Sequence, residues 1–174
     1  KENTAVGKEA FCANTTGCFS VAMGVCALIT NTTAIRNTAI GPHSLKLNTT
    51  GAENVAVGAL SLDANTTGDN NTAVGQSALG ANTTASNNVA IGCGALGANT
   101  TGEVNTAVGT ASMVTNTTGY GNTALGKNSL YTNNGNNNTA VGHEALELNT
   151  SGANNVAVGR QALEANTTGS NNTA

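Results

Sequence analysis

The string Asn-Thr-Ala-Val-Gly, or a near variant, returns along the whole chain. Its glycine falls at positions 7, 24, 41, 58, 75, 92, 109, 126, 142 and 159. The step is 17 residues everywhere except from 126 to 142, where it is 16. Repeats begin at residues 3, 20, 37, 54, 71, 88, 105, 122, 138 and 155, and a partial repeat begins at 172. A fixed period of this length marks a stacked array, in which each unit buries its apolar face only against its neighbours. Residues 1–174 read as one repeat array, and we expect it to be a segment of a longer fibre.

The composition excludes several functions. The chain of 174 residues holds 28 Asn, 28 Thr and 22 Gly but only four aromatic residues, Phe11, Phe19, Tyr120 and Tyr131. Six Lys and Arg, scattered, cannot build the basic surface that a nucleic-acid binder needs. The longest apolar stretch, Val21 to Ile29, is broken by Gly24 and is about half the ~18 residues of a membrane span. Low charge with much Asn, Thr and Gly would suit disorder, but the charges are not placed at random. Numbered from each repeat's first residue, all fifteen fall at positions 6, 7, 10, 16 and 17. A coil with fixed inner and outer positions explains that confinement.

Seventeen residues cannot hold two packed helices, and Gly, Thr and Asn in every repeat oppose helix. We therefore expect an all-β fold, a parallel β-solenoid (β-roll) of ten 17-residue coils. Alternation predicts two strands per coil. In the first, positions 2 and 4 point inward and position 3 outward. In the second, positions 9 and 11 point inward and position 10 outward. Gly at positions 5 and 15 is expected to turn the corners. Position 3 is Ala in every repeat, from Ala5 to Ala174. An outward position kept small and apolar suggests packing against a neighbouring chain, around a threefold axis; the competing reading turns this Ala inward. The short repeat has lost its residue at Asn133-Asn134-Gly135, which marks that place as a turn.

Asn-Val-Ala-Val-Gly (Asn54–Gly58, Asn155–Gly159) and Asn-Val-Ala-Ile-Gly (Asn88–Gly92) resemble the head repeats of trimeric autotransporter adhesins. The fuller pattern NTAVG-xx-AL-xx-NTTG is similar to repeat arrays in tail-fibre-like proteins of phages and bacteria. The resemblance covers essentially the whole chain. It implies a left-handed parallel β-roll, assembly as a trimer and a role in attachment. The period of 17 departs from the roughly 14 of the adhesin heads, through the inserted Asn-Thr-Thr-Gly segment.

No catalytic constellation is visible. His43 and His143 stand at positions 7 and 6 in repeats six apart, roughly 30 Å along a stack with β spacing. Neither has a recurring nucleophile or carboxylate partner. Gly92-Cys93-Gly94-Ala95-Leu96-Gly97 fits GxGxxG, but it follows from the repeat and lacks a strand–turn–helix setting. No cofactor and no metal site is expected. Cys12, Cys18, Cys26 and Cys93 contain no CxxC pair. They could form a disulfide or an inter-chain contact, as suits an extracellular protein, or remain free thiols.

The Asn-Thr-Thr segment leaves three readings open. Its Asn residues could stack inside the coil and hydrogen-bond from repeat to repeat. They are also sequons for glycosylation, at Asn14, Asn31, Asn48, Asn65, Asn82, Asn99, Asn116, Asn149 and Asn166, with further ones at Asn70, Asn137 and Asn171. An inward Asn could not carry a sugar. Thirdly, an outward Thr row could order water or bind ice or glycan. The expected function is an extracellular structural fibre or adhesive stalk at a cell or virion surface, not an enzyme. Its partners would be copies of itself, as a homotrimer or filament, and a glycan or host-surface receptor. Nucleic acid and membrane insertion are not expected.

Overall fold

The computed structural model describes residues 2–174. It contains no helix among these residues, and ten three-residue strands. They are β1 (Thr4–Val6), β2 (Val21–Met23), β3 (Thr38–Ile40), β4 (Val55–Val57), β5 (Thr72–Val74), β6 (Val89–Ile91), β7 (Thr106–Val108), β8 (Thr123–Leu125), β9 (Thr139–Val141) and β10 (Val156–Val158). All ten form one parallel sheet in sequence order, β1 to β10. The register is the repeat itself: Ala39 pairs with Ala56, Ala56 with Ala73 and Ala73 with Ala90. The fold is the parallel β-solenoid the repeat implies. At ~4.8 Å per strand the ten strands stack to a height of about 45–50 Å.

The inside and outside of the sheet are the reverse of the expectation. The nine position-3 alanines from Ala22 to Ala157 are 0–1% exposed. Positions 2 and 4 face outward, and Val6, Met23, Leu125 and Val158 are 42–62% exposed. The Ala column is therefore core and meets no neighbouring chain. The reason is room. Across the coil from the strand sits position 9, a leucine or methionine that is fully buried from Leu28 to Leu146. One large side chain per coil fills the interior, and the strand opposite can contribute little more than a Cβ.

There is no second strand. Position 9 does point inward as expected, but position 11 points out: Leu47 and Leu148 are 44% and 45% exposed. The segment follows a path of alternating dihedrals instead. Position 7 has φ between 54° and 66°, and position 9 has φ between 48° and 55° in every coil. Each such residue places two consecutive side chains, positions 8 and 9, on the inner side. Position 8 is Ala or Ser, and both are buried from Ala27 to Ala145. Three of the four serines donate to the position-5 carbonyl of their own coil, as Ser44 does to Gly41 O and Ser61 to Gly58 O, both at 2.9 Å; Ser112 turns instead to Ser129 Oγ at 3.1 Å and Ala124 O at 3.4 Å. A position-9 Leu→Ala change loses both buried carbons and the column above and below it. Leu79→Ala should destabilise the array by about 2–5 kcal/mol, read as a lower midpoint in urea.

Between coils the main chain bonds almost continuously. The position-9 N–H donates upward, as Leu79 to Ala95 O at 3.0 Å, and the position-7 N–H donates downward, as Ser77 to Ala59 O at 3.0 Å. The short coil preserves this ladder by substitution of one group for another. In a full coil the position-13 carbonyl accepts from the coil below: Thr100 N, Thr100 Oγ1 and Thr101 N all donate to Thr117 O. Where the residue is missing, the side-chain oxygen of Asn134 accepts the same set, from Thr117 N at 2.8 Å, Thr117 Oγ1 at 2.9 Å and Thr118 N at 3.2 Å.

Candidate interaction surface

Two asparagine ladders run inside the rod. The position-12 side chains Asn31, Asn48, Asn65, Asn82, Asn99, Asn116 and Asn149 are fully buried. Each Nδ2 donates to the Oδ1 of the asparagine one coil below, as Asn82 to Asn65 at 2.9 Å. The second ladder is at position 1, where Asn54 N donates to Asn37 Oδ1 at 2.9 Å and Asn71 N to Asn54 Oδ1 at 2.9 Å. The inward carbonyl at position 15 joins the two: Gly51 O accepts from Asn37 Nδ2 at 2.8 Å and from Asn48 Nδ2 at 2.9 Å. Interior amides with this many partners fulfil the rule that buried polar groups are hydrogen-bonded. The position-1 ladder escaped the sequence reading. Its signal was present, since Asn begins every repeat except that of Ser20.

At position 12 the Nδ2 atoms that an N-linked sugar would need are turned into the coil and engaged in hydrogen bonds. Asn14 and Asn166, in the end coils, are half-buried and make the same bond to the position-15 carbonyl. Asn70, Asn137 and Asn171 stand at position 17 and are exposed. Folded material secreted from a glycosylating host should carry sugar at these three alone, which glycopeptide mass mapping reads directly. The Thr pair also divides: position 13 is half-buried in the middle coils, with its hydroxyl donating to the next coil, as Thr66 to Thr83 O at 3.0 Å. Position 14 is the exposed member of the pair.

The four cysteines are free thiols: Cys12 and Cys93 are exposed, Cys18 and Cys26 half-buried. They occupy positions 10, 16, 7 and 6 of the coil, and no two are joined. Cys26 Sγ donates to Glu9 Oε2 at 3.5 Å. Partial burial, then this bond and the Glu9 charge, push the Cys26 thiol above its ordinary range.

The charged residues among those described lie outside, as their confinement to five positions predicts. Arg36 and Glu53 stack at position 17 with N···O 3.0 Å, both well exposed, a contact worth at most about 1 kcal/mol. At position 10, partial burial pushes the Asp63 carboxyl above the usual range, opposed by its own backbone N–H and by Lys46. Stacking also gathers Glu144, Glu147 and Glu164, whose carboxylate oxygens come within 4.8 Å of one another. His143 Nδ1 lies 3.3 Å from Glu144 Oε2, while His43 sits six coils away beside Pro42. Gly92–Gly97 continues from β6 into the alternating turn, with no helix for a phosphate to cap. No pocket is found among the described residues, and no helix there is long and apolar enough to cross a membrane.

What remains is a sheet face of unusual chemistry. Positions 2 and 4 carry only Thr or Val and Val, Ile, Leu or Met across ten coils, without one charge. Parallel sheets are normally covered on both faces. This one is covered inside by the Leu column and left open outside along its full height. No protein-family model, no curated protein and no solved structure matches the chain.

Proposed function

We propose that this chain is a length of extracellular structural fibre, a shaft or adhesive stalk at a cell or virion surface, and not an enzyme. The observation that carries this is the tie between the two asparagine ladders. Each coil is held to the next by main-chain bonds on every side and by two columns of amides through its centre. A bend at one coil would break several buried hydrogen bonds at once, each costing about 1–3 kcal/mol when a partner is left unsatisfied. A rod built this way transmits force and resists proteases, because little main chain is free to enter a protease cleft.

Arrays of ten and twenty coils test the reading by electron microscopy. Length should grow by about 4.8 Å for each added coil, and the longer array should stay straight. Particles that curl, or that trypsin cuts at Lys46 or Lys127 as quickly as it cuts the urea-unfolded chain, would refute it. The alternative, an ice- or glycan-binding solenoid, relied on a Thr/Asn ladder. With the Asn row inside, the position-14 Thr row and the outward threonines of position 2 are what supports it, and an ice-recrystallisation assay discriminates, since a plain shaft leaves crystal growth unchanged.

A further inference from the structure

The open sheet face has a geometry that restricts what can cover it. Its side chains repeat every ~4.8 Å along the axis for ten coils. A partner with any other period falls out of step within a few coils. A second copy of the same face has the same period by construction. Its chemistry also fits: position 4 is aliphatic throughout, with Met23, Ile40 and Leu125 among its members, and position 2 is Val in four of the ten coils and Thr, with its methyl group, in the other six. A water lattice would want hydroxyls in a regular grid; column 4 offers none, and column 2 interrupts its threonines with Val21, Val55, Val89 and Val156. On both sides of the face, positions 6 and 17 carry polar and charged residues such as Lys8, Arg36, Glu53 and Lys127. An apolar strip with a polar rim is the anatomy of an interface.

We infer that two rods pair face to face through the outward columns at positions 2 and 4, as a two-layer sheet structure. Each rod has one such face, so pairing exhausts it at two chains. In a threefold arrangement each rod would share its one strip between two neighbours, and only an edge of it would meet each. The strip is about 48 Å high and about 10 Å wide, from strand spacing and rise. A pair therefore buries on the order of 1,000 Å² in total, near the lower limit for a specific interface. Ten coils consequently give a weak pair, and affinity climbs with coil number. The inference rests on the fibre reading for its rigid rod and adds the surface and the partner.

Sedimentation equilibrium with the ten-coil chain tests it. The mass should rise with concentration toward twice 17.1 kDa and no further. A twenty-coil array should pair at a concentration at least ten times lower. Val57→Lys, Val74→Lys and Val108→Lys together should leave a monomer with unchanged circular dichroism. Thr67→Lys, Thr84→Lys and Thr101→Lys, on the other uncharged face, should leave the pair intact. If the first triple variant does not fold, Val74→Cys with the native cysteines replaced by Ser should form an inter-chain disulfide on mild oxidation faster than Thr84→Cys does. A chain that stays monomeric to millimolar concentration, a trimer, a pair indifferent to the outward lysines, or a monomer that halts ice recrystallisation would each overturn the pairing. Straight but monomeric rods would sink the pairing and leave the fibre reading standing. Paired but flexible chains would do the opposite.

Discussion

Asn82→Ala, in the middle of the rod, should lower the unfolding free energy by about 3–5 kcal/mol, although it removes no large apolar group. The wild-type Nδ2 donates to Asn65 Oδ1 at 2.9 Å and to Ala85 O at 3.0 Å, and Asn99 Nδ2 donates to Asn82 Oδ1 at 3.1 Å. Alanine strands the Asn65 oxygen and one proton of Asn99 in an interior without water. Each orphan costs about 1–3 kcal/mol, and the vacated volume adds to this. Ala85 O keeps its bond from Asn71 Nδ2 at 2.9 Å, so the loss is confined to the position-12 column. Urea unfolding followed by circular dichroism measures it. Asn82→Asp separates hydrogen bonding from shape. The size is unchanged, but an ionised carboxylate would face two oxygens at full burial. Its folded pKa must then lie above the unfolded value of about 3.9. The folded variant binds its proton more tightly than the unfolded one, so its stability is greatest at low pH. That stability falls as pH rises from about 4 through the folded pKa. Wild-type Asn82 should show no such dependence, and a pH-independent Asp variant would contradict the buried ladder.

Gly75→Ala should be about as damaging, at roughly 3–5 kcal/mol, while Gly68→Ala should be mild. Position 5 has φ between 129° and 142° in all ten coils, a region that is almost glycine-only and costs about 1–3 kcal/mol otherwise. A Cβ on Gly75 would also meet Gly92 O at 2.6 Å and Gly92 C at 2.7 Å, main-chain atoms of the next coil that cannot step aside. Crowding of that kind adds about 1–3 kcal/mol. Gly68, at position 15, has no positive φ. A Cβ there would also meet main chain of the next coil, Ala85 O, and Asn65 Oδ1 at 2.6 Å, but the dihedral suits any residue and the chain itself places Ala34 and Ala85 at this position, both buried. The two changes, compared by thermal melting, should differ by more than 10 °C in midpoint. Equal effects would mean that space, and not dihedral angle, sets the cost.

The repeat made the stack, its register and the charge-bearing outer positions legible before any coordinates. It did not fix the phase of the strand. Val at positions 2 and 4 and Ala at 3 look like a strand with its larger residues inside. Three residues are too few for alternation to decide, and hydrophobicity alone favoured the wrong face. The deciding fact is the volume taken by the single Leu opposite, which is a property of the closed coil. The second strand failed for a different reason. Leucine seldom adopts a left-handed dihedral, so nothing in Leu28 or Leu79 announces φ near 51°. Position 17 was more open to reading, because Asn70, Asn87 and Asn154 are of the type that tolerates this conformation. The open face became visible only once the phase was right, and the sequence reading had assigned its role to the alanines behind it.

Asn134 carries a consequence for how such a chain can change. One amide oxygen takes over from a lost peptide group, and the coils on either side keep their alignment. A gene encoding these units can therefore gain or drop whole turns by unequal exchange and can tolerate a slip of one codon triplet at that corner. The number of coils is then free to drift or be selected, with no new interior to invent each time.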